Sequence, residues 1–263
     1  MEESEFAGRT EPVLKAEGLT KVFSRKGQPD FTAVDHISFE IMPGECLGII
    51  GESGSGKSTA ANMISRLLEA TEGEIILDGE NITRVKGKDL RRIYRKVQMV
   101  FQTPAESFDP RRTLGDGIGE SLRNNGFSKA EAEKKTAEML VQCGLTPDFA
   151  GRYPHEVSGG QCQRAAIARA LAIEPELLIC DEATSSLDVT IQKEIIDLLN
   201  ELRRKRGNRF AILFICHDIA LVQQFCDRAL VMYKGRIMEE GKPDDLIRNP
   251  QSGYTRKLID SAL

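Results

Sequence analysis

The chain has 263 residues, with 36 Lys plus Arg against 40 Asp plus Glu and a formal charge of −4. That length suits one large α/β domain, or a core with a subdomain, and it allows a substantial buried core. The near-balanced charge gives no support for non-specific nucleic-acid binding, so no nucleic-acid partner is expected. The six cysteines (46, 143, 162, 180, 216 and 226) show no C-x-x-C spacing, and 46, 162, 180 and 216 lie in or beside apolar segments. Structural thiols in a reducing compartment are expected rather than a metal site. The opening MEESEFAGRTEP is acidic and polar, without the apolar stretch of a secretory signal. The clean apolar runs, such as Phe210 to Cys216, have strand length, far from the roughly 20 residues of a membrane helix. No direct membrane span is expected.

In chain order, Val13 to Phe23 and Ile37 to Ile41 read as strands, with Ile37, Phe39 and Ile41 alternating with polar residues. Residues 24–32, polar and bearing Gly and Pro, read as the loop between them. Cys46 to Ile50 reads as a buried strand, and Gly51-Glu52-Ser53-Gly54-Ser55-Gly56-Lys57-Ser58 follows. This run fits the nucleoside-triphosphate phosphate loop, G-x-x-x-x-G-K-[ST], at every fixed position. Thr59 continues it into a helical pattern with Met63, Ile64, Leu67 and Leu68 at helical spacing. The glycines let successive N–H groups face one anion, and the helix start adds partial positive charge. Lys57 supplies an ammonium for the outer phosphates, and the Ser58 hydroxyl can ligate Mg²⁺.

Glu74 to Leu77 reads as a strand ending at the turn Asp78-Gly79, and Val97 to Phe101 as another. Residues 113 to about 150 turn helical, with the charged cluster Lys129 to Lys135 as a solvated face. A helix over about 161–173 precedes the strand Leu177-Leu178-Ile179-Cys180, which ends in Asp181-Glu182. A helix over 190–206 puts Ile191, Ile195, Leu198, Leu199 and Leu202 on one face. Strands at 210–216, 228–232 and 236–238 and short helices near 243–248 and 251–261 complete the chain. Alternating strands and helices predict a mainly parallel sheet, with hairpins near the N-terminus and near 235 supplying an antiparallel part.

Two acids at the end of an apolar strand are costly unless cations or hydrogen bonds meet them. Beside a phosphate loop, Asp181 can hold Mg²⁺ and Glu182 can polarise the water that attacks the γ-phosphate. Val157-Ser158-Gly159-Gly160-Gln161 is a second glycine-rich turn opening a helix, able to bind an anion through N–H groups and the Ser158 hydroxyl. Such turns are common singly. Combined with the other elements, this one resembles the signature of the ATP-binding-cassette family, with Val157 where leucine is commoner.

The rest of the chain resembles that family in order, over about residues 13–240. Gly51 to Ser58 match its Walker A loop and Leu177 to Glu182 its Walker B strand and catalytic acid. Gln102 matches the Q-loop, Ser185-Ser186-Leu187-Asp188 the D-loop, His217 the switch histidine, and Phe23 the aromatic that stacks on adenine. Phe31, in the next loop, is the alternative stacking partner. The resemblance implies a P-loop NTPase fold of the cassette type: an α/β core of mixed sheet with an antiparallel part and an inserted helical subdomain. It places the cassette at residues 12–245, the helical insertion at about 103–157, and a short extension at 246–263.

The same resemblance implies ATP and Mg²⁺ as cofactors. Ser58, Gln102 and Asp181 would serve the metal; Lys57, Gln102, Glu182 and His217 would serve hydrolysis. Phe23, Gly51 to Thr59, Gln102, Ser158, Gly159, Gly160, Gln161 and Asp188 would contact nucleotide. In the family the signature closes on ATP held by a second cassette, so a chain with one phosphate loop and one signature needs a second cassette subunit, a paralogue or itself.

Gln102-Thr103-Pro104-Ala105-Glu106-Ser107-Phe108-Asp109-Pro110-Arg111 looks like the motif of the oligopeptide, dipeptide and nickel importer group. Asn249 to Leu258 resembles that group's N-P-x-H-P-Y-T-x-x-L element, with Ser252-Gly253 in place of His-Pro. This implies an ATPase subunit peripheral to the cytoplasmic face of the cell membrane, serving two membrane permease subunits and an external solute-binding protein. A soluble assembly cassette, as in the carbon–phosphorus lyase system, is the competing function. Cassettes of DNA repair carry long coiled coils or zinc insertions between phosphate loop and signature, and this chain has neither.

Overall fold

The computed structural model describes residues 11–24, 26, 27, 29–185 and 187–262. Ten strands and nine α-helices are found among them. In chain order they are β1 (Leu14–Phe23), β2 (Phe31–Ile41), β3 (Cys46–Ile50), α1 (Lys57–Ile64), β4 (Glu72–Leu77), β5 (Glu80–Asn81), α2 (Leu90–Lys96) and β6 (Val97–Val100). Then come α3 (Leu114–Asn124), α4 (Lys129–Gln142), α5 (Gly159–Leu171), β7 (Leu177–Asp181), α6 (Val189–Arg206), β8 (Ala211–Ile215) and α7 (Ile219–Phe225). The chain ends with β9 (Arg228–Tyr233), β10 (Arg236–Gly241), α8 (Pro243–Arg248) and α9 (Gly253–Ala262).

Two sheets form. One is antiparallel, in the order β2-β1-β4-β5; the other runs β10-β9-β3-β8-β7-β6, with β10 alone antiparallel to its neighbour. Every residue of β3 and β8 is buried. Such continuous apolar runs are what parallel strands covered on both faces require. Alternate residues of β3 serve two different cores. Leu47 and Ile49 join α1 and the antiparallel sheet on one face; Cys46 and Ile50 join α5, α6 and α7 on the other. The same alternation divides Leu177 and Ile179 from Leu178 and Cys180 on β7. All six cysteines are free and buried, Cys143 and Cys226 joining the four placed in apolar segments by sequence.

Local chemistry explains where elements start and stop. α5 opens at Gly159, two residues before the sequence pattern suggests, because Ser158 and Gln161 form a reciprocal capping box. The Asp188 side chain accepts from Ile191 N–H and starts α6. α1 ends at Ile64 rather than running through Leu68: Arg66 takes φ 60°, and Leu68 N–H bonds back to Asn62 O at 2.9 Å. β2 begins at Phe31, six residues before the expected start, since Phe31 pairs with Phe23. His36 at φ 50° and register shifts in β1 interrupt the alternation on which the shorter reading rests.

Residues 104–157 contribute no strand: α3 and α4 pack on each other and on α5, with single helical turns at Pro104–Ser107, Pro147–Gly151 and Pro154–Glu156. The charged cluster on α4 is a solvated face, as expected, and Ala132, Thr136, Met139 and Leu140 are its buried side. Phe214 of β8 is fully buried, edge-on to Phe225 of α7 with ring centroids 5.1 Å apart. Phe214→Ala is expected to lower the unfolding free energy in urea by about 3–5 kcal/mol.

Candidate nucleotide-binding site

The parallel strands β3, β6, β7 and β8 lie in register, with Ile49 opposite Ile215, Asp181 opposite Ile215, and Val100 opposite Cys180. Each is followed at its carboxyl end by a predicted site residue: the phosphate loop after β3, Gln102 after β6, Glu182 after β7 and His217 after β8. The carboxyl edge of an open α/β sheet is where such folds bind ligands.

The phosphate loop curls around its own lysine. The Lys57 ammonium donates to Gly51 O at 2.7 Å and Glu52 O at 2.8 Å, and is 4% exposed. Burial holds Lys57 below the ordinary lysine range, opposed by the Glu182 and Asp181 carboxylates. Gly56 takes φ 105°, and a Cβ there would strike the Ala33 carbonyl oxygen; a Cβ on Gly51 would strike that of Met232. Only glycine lets the backbone approach this closely. Ser55 is buried, while Glu52, Ser53, Gly54 and Ser58 are exposed and Thr59 is half-buried. The loop thus leaves its outer rim and the start of α1 open to an anion, which fits the phosphates of a nucleotide.

The Ser58 hydroxyl donates to Asp181 Oδ1 at 3.0 Å. Burial pushes the Asp181 carboxyl up, and Glu182 adds to this, while the Ser58 hydrogen bond and Lys57 pull it down. A hydroxyl and a carboxylate in contact are a hard-oxygen donor set suited to Mg²⁺, which takes one or two protein ligands and completes its shell from phosphates and water. Among the described residues no group of three or more His, Cys, Asp or Glu is placed to hold a metal.

Glu182 sits in the left-handed region at φ 49°. Its N–H donates to Ile215 O at 3.0 Å, and its carbonyl accepts from Ser185 N–H at 3.1 Å and Ser185 Oγ at 2.9 Å. A non-glycine residue held there by three hydrogen bonds is strained backbone at a site, which turns the side chain off the strand direction. The Gln102 side-chain amide donates to the same Ser185 Oγ at 3.1 Å. Ser185 therefore joins Gln102 to Glu182, a link sequence reading did not assign. His217 is exposed two residues past the end of β8, the strand paired with β7, which leads to Glu182. Ser186 lies outside the described residues.

The sheet does not bring the signature to this edge from the same side. α1 packs on β1, β2 and β7, whereas α5 packs on α3, α4, α6 and β6 across the opposite core. Ser158 and Gly159 are exposed, Gln161 half-buried, and Gly160 buried so closely on Ile191 that a Cβ would strike it. Asp188 is exposed at the start of α6. Phe23 is 39% exposed at the end of β1 and Phe31 61% exposed opposite it. Both aromatics are therefore available to a ligand, and Phe31 lies two residues along β2 from Ala33, which abuts Gly56.

Residues 34–185 match the family model described as ABC transporter. The chain belongs to the ABC transporter family. The glutathione import ATP-binding protein GsiA of Salmonella typhimurium is 46% identical over 256 residues, covering 95% of this chain and 41% of that protein. The chain thus spans about two fifths of the length of these relatives. A putative peptide import ATP-binding protein of Brucella ovis is 42% identical over 251 residues, covering 95% of this chain and 78% of its own. Among solved structures, the dimeric post-hydrolysis state of the ATP-binding cassette MJ0796 bound to ADP and Pi is similar with a TM-score of 0.79. It is 31% identical, over 88% of this chain and 98% of that one.

Because folding raises the Asp181 pKa from its ordinary 3.8, the folded cassette holds that proton more tightly than the unfolded chain. Asp181 thus costs stability as pH rises through the window above 3.8. Asp181→Asn is expected to melt higher than the parent protein at pH 7.5, with the difference shrinking as pH falls toward 4; calorimetric scans of both proteins across that range check it.

Proposed function

We propose that this chain is an ATP-hydrolysing subunit that powers a membrane importer of peptides, nickel or a similar small solute. In this reading residues 12–245 form the cassette, about 103–157 its helical subdomain, and 246–263 an importer-type extension. Lys57, Ser58, Asp181, Glu182 and Gln102 gathered at the carboxyl edge of one parallel sheet carry the reading. The names of the relatives, which concern import of glutathione and peptides, agree with it and favour it over a soluble assembly role.

Each residue has a task that its position supports. N–H groups within Gly51 to Thr59 cradle the phosphates, and Lys57 moves its ammonium from the loop carbonyls to the outer phosphates. Ser58 and Asp181, with Gln102 beside them, would hold Mg²⁺, which would supply positive charge against the phosphoryl group being transferred. Glu182 accepts the proton of the attacking water, with His217 in the loop after the adjacent strand to orient it. Phe23, or Phe31 opposite it, stacks on the adenine.

Ser158, Gly159 and Asp188 are exposed, and in this reading the turn from Ser158 to Gln161 and Asp188 meet the nucleotide of a second cassette, a paralogue or another copy. The MJ0796 cassette is described as a dimer bound to ADP and Pi, which supports a two-cassette unit. No described helix is long and apolar enough to cross a membrane. In this reading the chain sits at the cytoplasmic face on two permease subunits, which receive solute from an external binding protein.

Glu182→Gln is expected to retain ATP binding while losing at least about 10²-fold in turnover, the contribution of a positioned base. Lys57→Ala is expected to lose nucleotide binding instead. Calorimetric titration and phosphate release on both variants separate the roles. Wild-type turnover by Glu182→Gln overturns the assignment of the base.

A further inference from the structure

We infer that Tyr254, on the C-terminal helix α9, is a positioning residue of the phosphate loop. This rests on the reading of that loop as the nucleotide site. The Glu52 N–H donates to the Tyr254 hydroxyl at 3.2 Å, across 202 residues of sequence. That N–H and the Gly51 carbonyl belong to one planar peptide unit. The carbonyl of the same unit accepts the Lys57 ammonium at 2.7 Å. One peptide plane is therefore held at both ends, by Tyr254 outside the loop and by Lys57 inside it. A plane held this way cannot rotate without giving up both bonds, and each bond polarises the other.

The tyrosine is itself well anchored. Its ring stacks on Tyr233 with centroids 4.1 Å apart and planes 27° from parallel. The Glu239 carboxylate of β10 accepts Gln251 N–H and Ser252 N–H, each at 2.9 Å, at the turn that starts α9. Leu258 and Ile259 bury the helix against the core. The β9–β10 turn also grips the other limb of the loop, where Gly235 N–H donates to Ser55 O at 2.9 Å. The hairpin and the helix lying on it thus hold the phosphate loop on both limbs. The C-terminal element becomes part of the nucleotide site without touching nucleotide. Any movement of α9 is transmitted to the peptide that seats Lys57.

The test is Tyr254→Phe, which keeps the stacked ring and removes only the acceptor. Hydrogen exchange at the Glu52 amide in nucleotide-free protein, and ADP affinity by calorimetry, are the two readings. Glu52 exchange is expected to quicken several-fold, and the ADP dissociation constant to rise about two- to tenfold, as for loss of one neutral hydrogen bond. The melting temperature should move by no more than about 4 °C. Unchanged Glu52 exchange overturns the brace. Faster exchange with unchanged or tighter ADP binding overturns its role in the site. If the parent protein binds no ADP, the nucleotide-site reading fails, and the exchange measurement still decides the brace.

Discussion

A buried ammonium must be surrounded by oxygen, and the phosphate loop is arranged around that requirement. Lys57 is nearly inaccessible, its charge met by two loop carbonyls and by the field of Asp181 and Glu182. The loop can wrap so tightly only because Gly51 and Gly56 let the backbone press on the carbonyls of Met232 and Ala33. Those two contacts reach the β9–β10 hairpin and the antiparallel sheet. The geometry of one side chain therefore depends on strands that are distant in sequence.

The second constraint is the division of the main sheet into two faces. Alternation along β3 and β7 commits α1 to one core and α5 to the other. The phosphate loop and the capped signature turn consequently open on different sides of the molecule. Ser158 is presented at the start of α5 by its capping box with Gln161. An exposed, capped glycine turn of this kind fits the proposed role as one half of a site that a neighbour completes.

Much of this was legible in the sequence. The phosphate loop announces itself through glycines and lysine at fixed spacing, and β7 through an apolar run ending in two acids. Asp181 and Ser58 do meet, as those motifs suggest, and Gln102 reaches the same edge. What escaped has a common cause. α2 and α7 are each seven residues long, too short for periodicity to emerge. The extension of β2 to Phe31 is concealed by the kink at His36, and α1 is cut short by a left-handed Arg66 that no pattern reveals. Ser185 as the bridge between Gln102 and Glu182, Gly235 as a support of Ser55, and Tyr254 as a partner of Glu52 are contacts across long sequence separations. A local pattern carries no record of them. Lys234-Gly235 reads as an ordinary turn, and the tyrosine near the C-terminus as a group-specific motif without a role.

The central claim is that one chain carries two half-sites that become whole only across a two-cassette interface. Sedimentation velocity of Glu182→Gln with and without ATP, alone and with a companion cassette, tests it most directly when run beside the same protein carrying Ser158→Arg. The account predicts a two-cassette species that appears only with ATP and is lost on adding Ser158→Arg. A single-cassette species under every condition, from a parent protein that hydrolyses ATP at full rate as a monomer, would contradict it.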